Sequence, residues 1–327
     1  MAVRNLHYAC TNATGLKQLN FYDSFGQAAV VAEIRATGHT LNIGDSVTVT
    51  AGYSDENQAV MTDGVVVQIT QARPDFDYKI TVHDKLKRAV DNFLAPDDPD
   101  KPFMANNIKA EDLVEDLLEN SGLTLTEKGV TIFTTGYPKS VPIKLVTAWD
   151  AIDNLARITG FLCFCDSAGA IRFTDRKPYV TASDTVSAHD FTVGASGDIL
   201  EASYDKSAEK LLNRIVVYGA PGIHAVASAV SAYLPSGFYK SGVIAHDLID
   251  SQQAADDTAA IGLTTFNRLT QSLSLQAKGK PSVRARSIVT VTEPFTGFTT
   301  STKWLIYGSN HTLNRSGYSM QLTLIIG

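Results

Sequence analysis

A chain of 327 residues, 44% hydrophobic and 19% charged, has the composition of a soluble globular protein with room for two or three domains. Its net charge of -6 argues against a protein that holds nucleic acid by neutralising phosphates, though not against a surface past which nucleic acid slides. No apolar run reaches the roughly 18 to 20 residues of a membrane helix, and no basic segment leads into an apolar core at the N-terminus. The reading is a soluble protein made in the cytoplasm. Its three cysteines, Cys10, Cys163 and Cys165, cannot build a disulfide framework.

Residues 1–92 carry β-type runs at 3–9, 28–36, 45–51, 64–70 and 78–83. Val47 and Val49, then Val65, Val67 and Ile69, then Tyr78, Ile80 and Val82 each place apolar side chains on one face, with Gly, Asp and Asn between the runs. Short strands at this spacing make a small barrel or a sandwich. At 95–102, Pro96, Pro99 and Pro102 stand among Asp97, Asp98, Asp100 and Lys101, which reads as a linker or an exposed loop.

The pattern changes period in 93–182. A helix is expected over 109–121, where Leu113, Val114, Leu117 and Leu118 share a face, Glu111 and Asp112 sit at the positive end of the helix dipole, and Gly122 stops the run. A second helix is expected over 148–159, capped by Thr147 with Asp150 three residues on, buried through Ile152, Leu155 and Ala156, and ended by Gly160. Residues 161–165 and 170–174 then flank a turn at 166–169, a hairpin that completes a small α+β unit.

Strands return in 183–327, at 197–204, 213–219 and 287–292. One helix is expected at about 251–272, with Asp250 and Gln253 as a capping box and Ala255, Ala259, Leu263, Phe266 and Thr270 on one face. The Ala-, Ser- and Gly-rich stretch 223–247 reads as a long loop or irregular insertion. The last 24 residues form a hairpin of a kind that closes barrels. Its first strand includes 304–307, Asn314 to Gly317 turn the chain, and Tyr318, Met320, Leu322, Leu324 and Ile326 alternate with Ser319, Gln321, Thr323 and Ile325.

No catalytic, cofactor-binding or metal-binding residue emerges. Gly194-Ala195-Ser196-Gly197 has the wrong spacing for a nucleophile elbow, and Gly279-Lys280-Pro281-Ser282 lacks the first glycine of a phosphate loop. His7, His39, His83, His189, His224, His246 and His311 are scattered, so each reads as a surface or satisfied core residue. Cys163 and Cys165 point to one face of a strand and could share a metal, but no second close pair completes a tetrahedral site, and small buried hydrophobes are the simpler reading. Asp97, Asp98 and Asp100 lack the Gly and distal Glu of a calcium loop. Glu201 and Asp205, with Lys206 and Lys210 nearby, read as a solvated face rather than a carboxylate pair at a cleft.

Several segments together resemble the tail-hub proteins of contractile-tailed phages and related injection machines, the late-control and baseplate-hub family. They are Thr62-Asp63-Gly64-Val65-Val66-Val67 with Tyr78-Lys79-Ile80-Thr81-Val82-His83-Asp84, and Ala148-Trp149-Asp150-Ala151-Ile152-Asp153-Asn154-Leu155-Ala156 with Gly160 and Ile171-Arg172-Phe173. Leu212-Asn213-Arg214-Ile215-Val216-Val217-Tyr218-Gly219 and the closing Asn310-His311-Thr312-Leu313 to Gly317-Tyr318-Ser319-Met320-Gln321-Leu322 add to it. One departure is Val283-Arg284-Ala285-Arg286 after Lys280-Pro281, where related proteins often carry a glycine.

The resemblance implies a mainly β fold with an α+β insertion: two tube-like β-barrel domains, 1–92 and 183–327, around a small α+β domain at 93–182. It further implies a homotrimer whose six barrels form a pseudo-sixfold ring between tail tube protein and central spike protein, touching the baseplate wedge and the tape-measure protein. DNA would pass through without specific binding, in the baseplate of a virion tail assembled in the host cytoplasm. No enzymatic activity and no cofactor are expected. The alternatives are a carbohydrate- or receptor-binding tail protein, marked by exposed aromatics along a groove, and a tail-associated peptidoglycan hydrolase.

Overall fold

The computed structural model describes residues 6–53, 58–71, 77–94, 103–105, 108–130, 141–143, 145–175, 183–186, 188–194, 197–209, 211–230, 234–246, 249–267 and 270–325. The expected linker at 95–102 therefore lies outside the described residues, as does Ile326 of the expected terminal strand.

The first strands are β1 (Leu6–Cys10), β2 (Ala13–Ser24), β3 (Val31–His39), β4 (Ser46–Tyr53), β5 (Ala59–Gln71) and β6 (Tyr78–Asp84). Period-2 burial accounts for β3 and β4: Ala32, Ile34 and Ala36 are buried on β3, and Val47, Val49 and Ala51 on β4. On β5 the expected inward face of Val65 and Val67 is corrected, since Val66 is the buried residue and both neighbours are half-buried. β2 falls outside every expected run. Its signal is the alternation Leu19, Phe21, Asp23, in which a carboxylate takes the third inward position and breaks the apolar pattern.

The middle of the chain supplies α1 (Lys87–Asp91), β7 (Phe103–Ala105), α2 (Ala110–Asn120), β8 (Leu125–Lys128), β9 (Val141–Ile143), α3 (Ala148–Thr159), β10 (Phe161–Cys165) and β11 (Ile171–Asp175). α3 follows the sequence expectation closely. The Thr147 hydroxyl accepts from Asp150 N at 3.0 Å, the Asp150 carboxylate accepts from Thr147 N at 3.2 Å, and Gly160 ends the helix at φ 72°. β10 and β11 form the expected hairpin, with β8 parallel to β11.

The remaining elements are β12 (Asp190–Thr192), β13 (Ile199–Lys206), β14 (Arg214–Tyr218), β15 (His224–Ser228), β16 (Ser241–Ala245), α4 (Gln252–Phe266), β17 (Gln271–Lys278), β18 (Ile288–Glu293), β19 (Phe298–Asn314) and β20 (Gly317–Ile325). Three local expectations need correction. The stretch 223–247 is not an irregular loop, because β15 and β16 flank β14 in a three-stranded sheet. The helix at 251–272 is shorter: Asn267 caps it, donating to Leu263 O at 2.9 Å and Leu212 O at 2.6 Å, and the alternation Leu273, Leu275, Ala277 then builds β17. Its N-cap is Ser251, whose hydroxyl accepts from Ala254 N, rather than an Asp250 and Gln253 box.

The fold is mainly β. The largest sheet has 12 strands in the order β1-β4-β5-β6-β3-β2-β19-β20-β17-β13, with β18 on β19 and β12 on β18. Strands from both ends of the chain thus share one sheet, six on each side of the β2–β19 seam. The pairings do not close into a barrel on either side among the described residues. The terminal hairpin forms as expected, yet it lies inside this order, between β2 and β17, rather than at an edge.

Three main cores follow. One holds the inward side chains of β2–β6, together with Leu313 and Tyr318. A second holds Phe191, Leu273, Leu275, Val289, Trp304, Ile306, Met320 and Leu322. The β19–β20 hairpin contributes to both. The third joins α2, α3, β10 and β11 to Ile215, Val217, Ala255 and Ala259, so α4 and the β14 sheet pack against the middle of the chain.

Candidate functional site

Along β2 the period of two aims Asp23 inward beside Phe21, where its side chain is fully buried. A lone buried carboxylate would be costly, and two guanidiniums meet it. Arg286 Nη2 lies 2.6 Å from Asp23 Oδ1, and Arg284 Nε lies 3.3 Å from Asp23 Oδ2. Both arginines come from the segment between β17 and β18. Arg284 Nη1 also donates to Met61 O at 2.6 Å and stacks 4.5 Å above the Phe21 ring. Arg286, at φ 73°, donates through Nη1 to Ser24 O and lies 4.7 Å above Phe164 of β10. The planar guanidinium permits an ion pair and ring stacking at once, which an ammonium could not match.

A second carboxylate sits beside this knot. Asp84 is 2% exposed and accepts from Val30 N at 2.8 Å and Leu86 N at 2.9 Å. Burial pushes its pKa up to about 7; the two amide bonds work against the shift, and the charge of Asp23 adds to it. On the other side, fully buried His311 bridges β19 to the arginine segment, with Nε2 2.8 Å from Val283 O and Nδ1 2.8 Å from the Tyr318 hydroxyl. A carbonyl only accepts, so Nε2 carries the proton and the Tyr318 hydroxyl donates to Nδ1. Burial and then Arg284 hold this imidazole neutral, with its pKa lowered to about 4.

The knot therefore ties β2, β5, β10 and the segment before β18 at one point beside the sheet seam. Sequence reading registered Val283-Arg284-Ala285-Arg286 only as a departure from a family pattern. The available signal was two arginines at i, i+2 alternating with buried Val283 and Ala285, a charge pattern that only a buried acid can satisfy. Chemically, the arrangement locks surfaces together and offers no open position to a substrate.

The other singled-out residues are dispersed. Cys163 and Cys165 are buried in β10 opposite Phe173 and Ile171, and burial raises both thiols, Cys165 to about 12. Among the described residues no three His, Cys, Asp or Glu side chains gather as metal ligands would. His189 Nε2 lies 2.6 Å from Asp198 Oδ2, with Lys280 at 3.8 Å, while His224 is exposed. Glu201 and Asp205 are exposed on β13. Gly279 has a packing reason: a Cβ there would fall inside the Tyr318 ring. Trp149 and Trp304 are both core residues, so neither lines a groove.

What remains open is backbone. β1, β13 and β12 end the large sheet, and β15 and β16 end the β14 sheet, each with strand partners on one side only among the described residues. β13 also exposes Leu200, Glu201, Ser203 and Asp205. Unpaired edges of this kind invite pairing with another chain.

Comparison with known proteins agrees with this architecture. A family model described as YQBQ-like matches residues 27–325. No curated protein sequence matches the chain. Among solved structures, a tail protein from Neisseria meningitidis MC58 superposes with a TM-score of 0.75 at 12% identity, over 98% of this chain and 96% of that one. The 43 kDa tail protein of prophage MuSo2 from Shewanella oneidensis gives 0.73 at 15% identity, over 98% of both chains. The E. coli c3393 protein, a type VI secretion system component described as similar to T4 tail proteins, gives 0.62 at 10% identity, over 98% of this chain and 77% of that one. At these identities the likeness establishes a shared fold with these tail and secretion-system proteins.

Proposed function

The chain belongs to the YQBQ-like family, and from that premise we propose that it is a structural hub protein of a virion tail or baseplate. Three copies form a ring of six β units that joins a tail tube protein to a central spike, with baseplate wedge and tape-measure proteins as further neighbours. DNA passes through without being held. The protein is assembled in the host cytoplasm and turns over no substrate.

The observation that carries this reading is the division of one 12-stranded sheet into six strands on each side of the β2–β19 seam. Two such units per chain, tube-like at 1–92 and 183–327 with the α+β part at 93–182 outside, multiply by three to match a sixfold tube. The free edges at β1 and β13 favour closure between copies, which satisfies backbone groups that a monomer leaves to solvent. The likeness to two tail proteins over nearly their whole length supports the same reading, and so does a net charge that would not retain DNA.

Mass photometry and electron microscopy of the purified protein, alone and with a tail tube protein of the same particle, test this. The expected particle has three times the 35.2 kDa chain mass and an open bore. A stable monomer under both conditions, a twofold dimer, or a ring plugged by core side chains would overturn it.

A further inference from the structure

The small sheet β15-β14-β16 ends at β16, whose outer side has no strand partner among the described residues. Beside that edge lies a groove of about 350 Å³, walled by Val243 to Ala245 of β16 with the following His246, the last turn of α4 and the C-terminal half of α3. Its size falls in the roughly 300 to 1,000 Å³ range of ligand sites. The floor is apolar: Ile158 is buried beneath it, Gly262 adds no side chain, and Val243 and Phe266 stand 63% and 48% exposed at its lips. Its polar lining is Asn154, Arg157, His246 and Thr265. Among the described residues no acidic side chain lines it, in a chain whose net charge is -6.

We propose that this groove takes an extended peptide segment of a partner protein, added as a fourth strand along β16, apolar at alternate positions and ending in a carboxylate at Arg157. A free strand edge selects an extended backbone, because only a strand satisfies a row of amides and carbonyls that a docked helix would leave unmet. The apolar floor selects valine-like side chains at every second residue. Arg157 selects the acid. Asp153, one turn back on α3, occupies one guanidinium nitrogen at 2.6 Å, and the remaining donors of its five N–H groups stay available for a second carboxylate. The site stands apart from the β2–β19 seam and from any ring built on it, so it is tested independently of assembly.

The probe is a fluorescein-labelled hexapeptide alternating threonine and valine, with an N-terminal lysine for solubility, followed by anisotropy on the full chain. The free-acid peptide is expected to bind saturably and to slow amide exchange at Val243 and Ala245. Arg157→Ala, at a side chain 69% exposed and so compatible with folding, is expected to weaken it tenfold or more, as is C-terminal amidation. N-methylation of alternate peptide amides is expected to abolish binding. Absence of saturable binding by the free-acid peptide to folded protein overturns the proposal. Equal binding by the N-methylated peptide overturns strand addition, and equal binding after both Arg157→Ala and amidation overturns the carboxylate subsite.

Discussion

Replacing Asp23 with alanine removes the one anion that, among the described residues, both Arg284 and Arg286 contact through ion pairs, at 3.3 and 2.6 Å. The two guanidinium side chains are 13% and 15% exposed, so water can reach them only in part. Breaking a buried pair from one side costs about 3 to 5 kcal/mol, because the partner charge is stranded. For a transition that melts all 327 residues, with an unfolding entropy of about 2.1 cal/mol/K per residue, that is a drop of about 4 to 7 °C in Tm. The instructive comparison is the triple variant Asp23→Leu, Arg284→Met, Arg286→Met, which removes all three charges and keeps volume. It should cost less than Asp23→Ala alone: no charge is stranded, the bonds to Met61 O and Ser24 O are lost at about 1 kcal/mol each, and the guanidinium contacts with Phe21 and Phe164 give way to thioether–ring contacts of similar size. Calorimetry at one fixed protein concentration measures both, with amide exchange across the β2–β19 pairs locating the loss. A single variant within 1 °C of the parent, or a triple variant worse than the single, would refute the knot as an electrostatic lock.

The remaining expectations concern pH, packing and thiols. Asp84 has a folded pKa of about 7 against an ordinary 3.8, so folding favours its protonated form; this stabilisation is full below about pH 4 and is lost as pH rises through 7, about 4 kcal/mol in all. His311 runs the other way: with a folded pKa of about 4 against 6.5, its contribution of about 3 kcal/mol is present above pH 6.5 and lost as pH falls towards 4. The two slopes oppose one another between pH 4 and 6.5, so urea titrations should show Asp84→Asn losing stability in acid more steeply than the parent, and His311→Gln gaining it. Gly279→Ala should cost at least about 1 to 3 kcal/mol by overpacking against Tyr318, read as a lower urea midpoint with unchanged slope. Cys163 and Cys165, buried and with raised pKa values, should react with a thiol reagent in the native state no faster than the protein opens; labelling within seconds at pH 8 would contradict their placement.

The residues that sequence reading placed well share one property, that their structure is decided within a turn or a hairpin. Thr147, Asp150 and Gly160 delimit α3 through contacts three or four residues apart, and β10 and β11 meet across a short polar turn. The terminal hairpin likewise carries its register in the alternation of Tyr318, Met320, Leu322 and Leu324. Where local signals conflict, reading failed. The helical spacing that runs on through Leu263, Phe266 and Thr270 concealed the stop at Asn267, and small residues in 223–247 concealed two strands whose inner face is supplied by α4.

Composition, caps and alternation by themselves determined a mainly β chain with two helices in its middle, one of them closed by a capping box, and few clustered charges. Tertiary structure alone decided that β2 and β19, from opposite ends of the chain, lie side by side, and that Asp23 faces Arg284 and Arg286. The physical reason is range. A cap or a two-residue period is a property of neighbours, whereas the pairing of distant strands depends on which edges remain free and which faces must be buried together. A buried ion pair shows in the sequence only as an acid in one strand and two bases in another, each out of pattern until they meet.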